Sequence, residues 1–348
     1  TRCREVSWGS EMCIRDSGVT YSKLGLGANH SCGITTGNVL KCWGYNAYGQ
    51  LGDSTGVNKS SPTVVDSGVN YSEVAGGGTH GCGVTSGGVL KCWGDNLNGQ
   101  LGEGSSSTRE NAPVVIDTGV SYSLVGAGNN HSCALTSGGI LKCWGANDHG
   151  QIGEGNTPSQ YSPVATDVTS AYNQISSGAN HACGITTSGI LKCWGLNTYG
   201  EVGDNGTTNR SNPIVIDGGV TYSQVAAGNA HTCGITTDGT LKCWGYNSSS
   251  RLGDGTVSNR YTPYMIDTGV TYSQVATGMT HTCGVTTAGV LKCWGNNASY
   301  QLGDGTVSNR STPYVIDSGT TYSQVATGFN HTCGITTAGV LKLALIHI

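Results

Sequence analysis

One short stretch, HACGITTSGILKCWG at residues 181–195, concentrates the side chains able to do chemistry. His181 lies two residues before Cys183, and Cys193 follows ten later, flanked by Lys192 and Trp194. Three chemistries use these types. Imidazole and thiolates bind zinc, two thiols form a disulfide, and an imidazole activates a thiolate for nucleophilic attack. The redox spacing C-x-x-C is absent from the sequence.

The stretch recurs. His30, His80, His131, His181, His231, His281 and His331 are spaced by 50 residues, with one step of 51. Cys32, Cys82, Cys133, Cys183, Cys233, Cys283 and Cys333 follow two positions later. Cys42, Cys92, Cys143, Cys193, Cys243 and Cys293 close six of the seven copies. A fixed period of this length marks a repeat architecture. An enzyme needs one special site, so equal copies of a Cys–His pair read as scaffold. The even, regular cysteine pattern favours disulfides and an oxidising compartment. Free buried thiols and a His-Cys-Cys metal site stay open behind that reading, although structural zinc takes four ligands and closer cysteine spacing.

The elements that position these residues are short strands. In the unit 219–267, candidates are Tyr222–Ala227, His231–Thr236, Thr240–Gly245 and Pro263–Asp267, with glycine turns between the first three. A longer loop, 246–262, leads to the fourth. Pro263 has no backbone donor and suits the start of an edge strand. Four strands per unit, repeated around a ring, describe an all-β propeller. A turn at Thr187, Ser188 and Gly189 sets Thr186 opposite Ile190, Ile185 opposite Leu191 and Cys183 opposite Cys193. It also sets Ala182 opposite Trp194. The other complete copies place Ser31, Gly81, Ser132, Thr232 or Thr282 there, always small, as a residue beneath a buried indole should be. The histidines read as buried residues hydrogen-bonding one strand to its neighbour. Lys41, Lys91, Lys142, Lys192, Lys242, Lys292 and Lys342 read as stems packed on the hairpin. Their amines reach solvent or Asp66, Asp117, Asp167, Asp217, Asp267 and Asp317.

Composition limits the function classes. The 348 residues include 57 glycines and one phenylalanine, and only 11% are charged. The net charge of −4 and the lack of a basic run argue against nucleic-acid binding. No apolar run approaches the length of a membrane span, and no signal-peptide pattern is legible. Residues 1–17 and 343–348 match nothing in the repeats and read as a non-native leader and tail. Cys3, Cys13, Trp8 and His347 are therefore set aside. Between them lies one propeller, with units at about 18–67, 68–118, 119–168, 169–218, 219–268, 269–318 and an incomplete 319–342. Ile14 to Gly18, IRDSG, mimics the VIDSG of a unit end only superficially, so the seventh blade is expected to be truncated and frayed.

The glycine turn, histidine and hairpin ending in Trp-Gly continue into Trp43-Gly44-Tyr45-Asn46-Ala47-Tyr48-Gly49-Gln50-Leu51-Gly52. Gly99-Gln100-Leu101-Gly102 and Gly150-Gln151-Ile152-Gly153 follow the same pattern. Gly200-Glu201-Val202-Gly203, Ser250-Arg251-Leu252-Gly253 and Tyr300-Gln301-Leu302-Gly303 drift from it. Across residues 18–342 this resembles the repeat of the regulator of chromosome condensation family. The resemblance implies a seven-bladed β-propeller. The founding member is a nucleotide-exchange factor for the small GTPase Ran on chromatin, and other members inhibit β-lactamases or sense light. None of their functional residues carries over, and the photoreceptor motif G-W-R-H-T is absent. The paired cysteines look more like secreted or cell-surface bacterial members, which implies an extracellular or cell-surface location.

If repeated residues build the scaffold, function lies where copies differ. The third loops, 45–61, 95–112, 146–162, 196–212, 246–262 and 296–312, vary most and should emerge on one face. They carry Tyr45, Tyr48, Tyr161, Tyr199, Tyr246, Tyr261 and Tyr300 among Ser, Asn, Thr and Gly, a paratope-like mixture. The expectation is a non-catalytic extracellular scaffold that binds a protein or glycan there. It would need no cofactor, engage no nucleic acid and insert in no membrane. Alternatives are nucleotide exchange or another intracellular regulatory role by analogy, or a hydrolase or metal-binding propeller. For these, Asp148 and His149 are the one non-repeated acid–base pair in a loop. Gly-Asp-Gly-Thr at 253–256 and 303–306 offers only one carboxylate per loop to calcium.

Overall fold

The computed structural model describes residues 18–106 and 109–344, with side chains as far as Lys342. The chain forms seven antiparallel sheets in sequence order, six of four strands and a last one of three. In the first blade the strands are Tyr21–Leu26, His30–Thr35, Leu40–Gly44 and Lys59–Val64. The seventh has Tyr322–Thr327, Thr332–Thr336 and Leu341–Ala344. The further residues of the leader and tail lie outside the described part.

Burial explains the alternation of residue types. The second strand of each blade is buried along its whole length, whereas the fourth is largely exposed. The hairpin register matches the sequence expectation: Ile185 pairs with Leu191, Cys183 with Cys193 and Ala182 with Trp194. Six disulfides join Cys32–Cys42, Cys82–Cys92, Cys133–Cys143, Cys183–Cys193, Cys233–Cys243 and Cys283–Cys293, each across a Cα separation of 4.1 Å. In the seventh blade Leu343 stands opposite Cys333, which stays a free, buried thiol.

The fourth strand differs from expectation. It runs Arg260–Met265, so Pro263 sits inside it. Its register against the third strand shifts between Cys243 and Gly245, where Trp244 is skipped. Pro263 falls in that irregular stretch of an edge strand, where its missing donor costs nothing. Pro62, Pro113, Pro163, Pro213 and Pro313 hold the same place, which blunts every outer edge against strand addition.

The core lies between blades. Cys32, Ile34, Leu40, Cys42, Leu51 and Val65 of the first blade pack on Tyr71, Val74 and Trp93 of the second. The same contact closes the ring, because Tyr21 and Trp43 pack on Cys333, Ile335 and Leu341. Closure also uses hydrogen bonds from Gln324 Nε2 to Ser22 O and from Phe329 N to Ala28 O. Among the described residues the seventh blade therefore docks through three strands.

Polar links repeat at six junctions. Asp66, at φ 53°, ends its blade in the left-handed region that Asp tolerates better than most residues. Its carboxylate accepts from Tyr71 Oη at 2.6 Å and from Lys91 Nζ at 2.7 Å, both on the next blade. Lys142–Asp117, Lys192–Asp167, Lys242–Asp217, Lys292–Asp267 and Lys342–Asp317 repeat the ion pair. These lysines are thus structural clasps between blades.

Candidate interaction face

The loop after Trp-Gly is built around one buried asparagine. Asn247 Oδ1 accepts from Leu252 N, and its Nδ2 donates to Asp254 Oδ1, Thr256 O and Ser258 O. Asn46 and Asn197 brace their loops in the same way. A side-chain amide suits this role because it offers donors and an acceptor at one point. Asp254 is committed to the same brace. It accepts from Thr256 N and Oγ1 and pairs with Arg260. Hydrogen bonds from Thr256, Arg260 and Asn247 hold its carboxyl below the usual range, against the opposing effect of burial. The Gly-Asp-Gly-Thr segments therefore spend their carboxylates on their own loops. Asp148 is exposed and His149 half-buried, its N–H donated to Gln151 Oε1.

These loops share a face with the Gly-x-x-His turns. The residue after each Trp-Gly donates its N–H to that turn, as Leu196 N does to Asn180 O and Tyr246 N to Ala230 O. Behind the turns the histidines form a buried ring. His80 Nε2 lies 2.8 Å from Ser132 Oγ of the next blade, and His181, His231, His281 and His331 meet Thr232, Thr282, Thr332 and Ser31 likewise. Burial keeps them neutral, lowering His80 and His181 to about 3. Twelve cysteines go to disulfides, and five of the seven imidazoles meet hydroxyls of the neighbouring blade. This replaces the His-Cys-Cys metal alternative, and no metal-ligating cluster occurs among the described residues. In front of the histidines a cavity of about 150 Å³ runs along the ring axis. It is walled mainly by backbone, including Gly77, Gly128 and Gly178. A Cβ on Gly178 would come within 2.5 Å of His181 Cε1, so glycine is required there.

The structure brings some candidate tyrosines together and leaves others apart. Tyr45 and Tyr48 meet edge to face at 6.3 Å. Tyr199 of the fourth blade stacks on Tyr246 of the fifth, with centroids 4.3 Å apart and planes at 29°. Tyr161 and Tyr261 instead lie on fourth strands, against Gly99 and Gly200 of the preceding blade. Tyr300 is half-buried at φ 58°, where the first four copies carry glycine and the fifth Ser250.

The position before the repeated aliphatic residue of each loop holds a second set of buried polar side chains. Gln50, Gln100, Gln151 and Gln301 are buried there, and their Oε1 atoms accept the N–H two residues back. Nε2 of Gln100 reaches Asp95, and that of Gln301 reaches Asn296. In the fourth blade the residue is Glu201, fully buried, with Oε1 unpartnered and its carboxyl pushed up by burial. In the fifth it is Arg251, 4% exposed, whose guanidinium lies 4.7 Å from the Tyr246 ring centroid. The signal was visible as the drift of Gln to Glu and Arg. Its meaning needed the neighbouring blade.

The described strands, disulfides and loop face can be set beside known proteins. No curated protein matches the chain in sequence. Human WBSCR16 superposes with a TM-score of 0.81 at 21% identity, over 96% of this chain and 88% of that one. Prp20p from Saccharomyces cerevisiae, described with its binding to Gsp1p and histones, gives 0.81 at 19% over 94% and 82%. The ectodomain of the Physcomitrella patens receptor kinase CR4 gives 0.61 at 20% over 93% and 73%. At these identities the likeness is one of fold. The regulator of chromosome condensation (RCC1) repeat matches at 21–50, 71–100, 123–151, 172–201, 222–251 and 272–301, and a second profile of that repeat at 40–84, 88–135, 188–235 and 289–335. Matched over more than half its length, the chain belongs to the regulator of chromosome condensation repeat family.

Proposed function

We propose that this propeller is a non-catalytic extracellular or cell-surface interaction module that engages a protein or glycan through its loop face. The observation that supports it most is the pairing of tyrosines on braced loops, Tyr45 with Tyr48 and Tyr199 with Tyr246. Tyr48 and Tyr199 are each about two-fifths exposed, at 43% and 40%. Rigid aromatics among Ser, Thr and Asn lose little entropy on binding. Six disulfides suit an oxidising environment. A propeller hosts many functions, so neither Gsp1p nor histone binding transfers from Prp20p on fold alone.

The test is binding to a glycan array and to a panel of surface proteins. Variants Tyr45→Ala/Tyr48→Ala and Tyr199→Ala/Tyr246→Ala are compared with Ile140→Ser/Ile190→Ser on the opposite face. Loss of binding in either tyrosine variant alone supports the reading. Loss only in the isoleucine variant, or turnover of a bound ligand, overturns it.

A further inference from the structure

Arg251 is a buried cation without a counter-ion. Nη1 donates to Met279 O at 2.8 Å, and Nη2 makes only a 3.5 Å contact with Ser249 Oγ. Nε has no partner, and no carboxylate pairs with the group among the described residues. A guanidinium carries five N–H donors, so most of this one's capacity is unused. Burying an unpaired charge is costly. The scaffold does not require it, since four other blades carry glutamine at this position. The substitution also coincides with two local defects. Ser250 takes φ 57° where four blades have glycine, and Trp294 Nε1 lacks the carbonyl that Trp93, Trp144, Trp194 and Trp244 use. Trp43 Nε1 is also unpartnered and Tyr300 takes φ 58°, but among the described residues it is at Arg251 that both features meet a buried, unpaired cation.

The surroundings define the ligand. Arg251 lies against Tyr246, which stacks on the exposed Tyr199. Thr198 precedes Tyr199 and Ser248 lies two residues after Tyr246, both exposed, while Ser249 Oγ is near Arg251 Nη2. An aromatic face accepts the C–H face of a pyranose, hydroxyls match its hydroxyls, and a desolvated guanidinium attracts a carboxylate. We infer that the fourth and fifth blades form a subsite for an acidic sugar, a pyranose bearing a carboxylate. Its ring stacks on the outer face of Tyr199, because Tyr246 is itself covered by Tyr199 and Arg251, and its carboxylate lies within the field of Arg251. This rests on the loop-face reading above and names its ligand class.

Isothermal titration with tetragalacturonate, a neutral tetraglucose and tetraglutamate tests it. Arg251→Gln restores the residue of four other blades, so folding should survive, and disulfide content and thermal midpoint verify this. The wild type is expected to bind the galacturonate and not the neutral sugar, with affinity that falls as salt rises. Arg251→Gln should weaken it by about tenfold or more and flatten the salt dependence. Equal binding of the neutral sugar, no binding of the galacturonate, or an Arg251→Gln variant that binds normally overturns the subsite. Tetraglutamate binding with the same dependence on Arg251 overturns the sugar assignment. If Tyr199→Ala/Tyr246→Ala abolishes glycan binding while Arg251→Gln does nothing, the subsite fails and the loop-face reading stands. If neither variant matters, these blades play no part.

Discussion

The middle residue of each His-x-Cys motif does two jobs. It must be small enough to lie beneath the tryptophan of its own hairpin, and its hydroxyl serves the histidine of the preceding blade. Ser31, Ser132, Thr232 and Thr282 do both, Thr332 does only the second, since Ala344 takes the place of the tryptophan in its hairpin, and Gly81 and Ala182 do only the first. His30 and His131, which face those two, have both ring nitrogens unpartnered. Ala182→Ser should therefore stabilise the protein by about 1 kcal/mol, by supplying one buried hydrogen bond. The rise in thermal midpoint measures it, and no rise would mean that His131 gains nothing from a hydroxyl. Gly81→Ser should lack the gain, because a Cβ there comes 2.7 Å from Trp93 Cε2. The smallness of this residue was legible from the hairpin register. Its second role was not, because its partner is about 50 residues away on another sheet.

At the scale of the element, the third loop owes its shape to one asparagine and not to regular structure. Asn247 satisfies three carbonyl or carboxylate oxygens and one backbone N–H from a fully buried position. Asn247→Ala leaves those groups unpaired and should cost about 1–3 kcal/mol. It should also loosen the loop that carries Tyr246. Amide hydrogen exchange should then rise across residues 246–258 while the Cys233–Cys243 hairpin stays protected. Uniform exchange throughout the blade would show that the asparagine supports the whole sheet instead. The strands of this blade were readable from periodicity and turn glycines. The fourth strand was placed too late because the register shift opposite Trp244 admits Pro263 to its interior.

The whole molecule adds a pH dependence that no single blade has. Burial above all holds the ring of histidines neutral. It lowers His30, His80, His181 and His281 to about 3 and His131 and His331 to about 4, and takes His231 well below its ordinary value. Unfolded histidine titrates near ~6.5, so between that pH and about 4 the unfolded chain binds more protons. Stability is complete above about pH 6.5 and falls as the solution is acidified, by up to about 1.4 kcal/mol per pH unit for each histidine. Thermal midpoints from pH 7.5 to 4.5 should drop steeply, before the carboxylates titrate. A flat profile would mean that the rings are hydrated or charged in the native state. The sequence by itself determined the repeat, the blade, the register that sets each cysteine opposite its partner and the burial of His and Trp, because these follow from local periodicity and hairpin geometry. Only the tertiary structure decided which groups meet across blades: His80 with Ser132, Asp66 with Lys91, Tyr199 with Tyr246. Those contacts join residues 25 to 52 positions apart on different sheets, and the packing of one sheet on the next selects them.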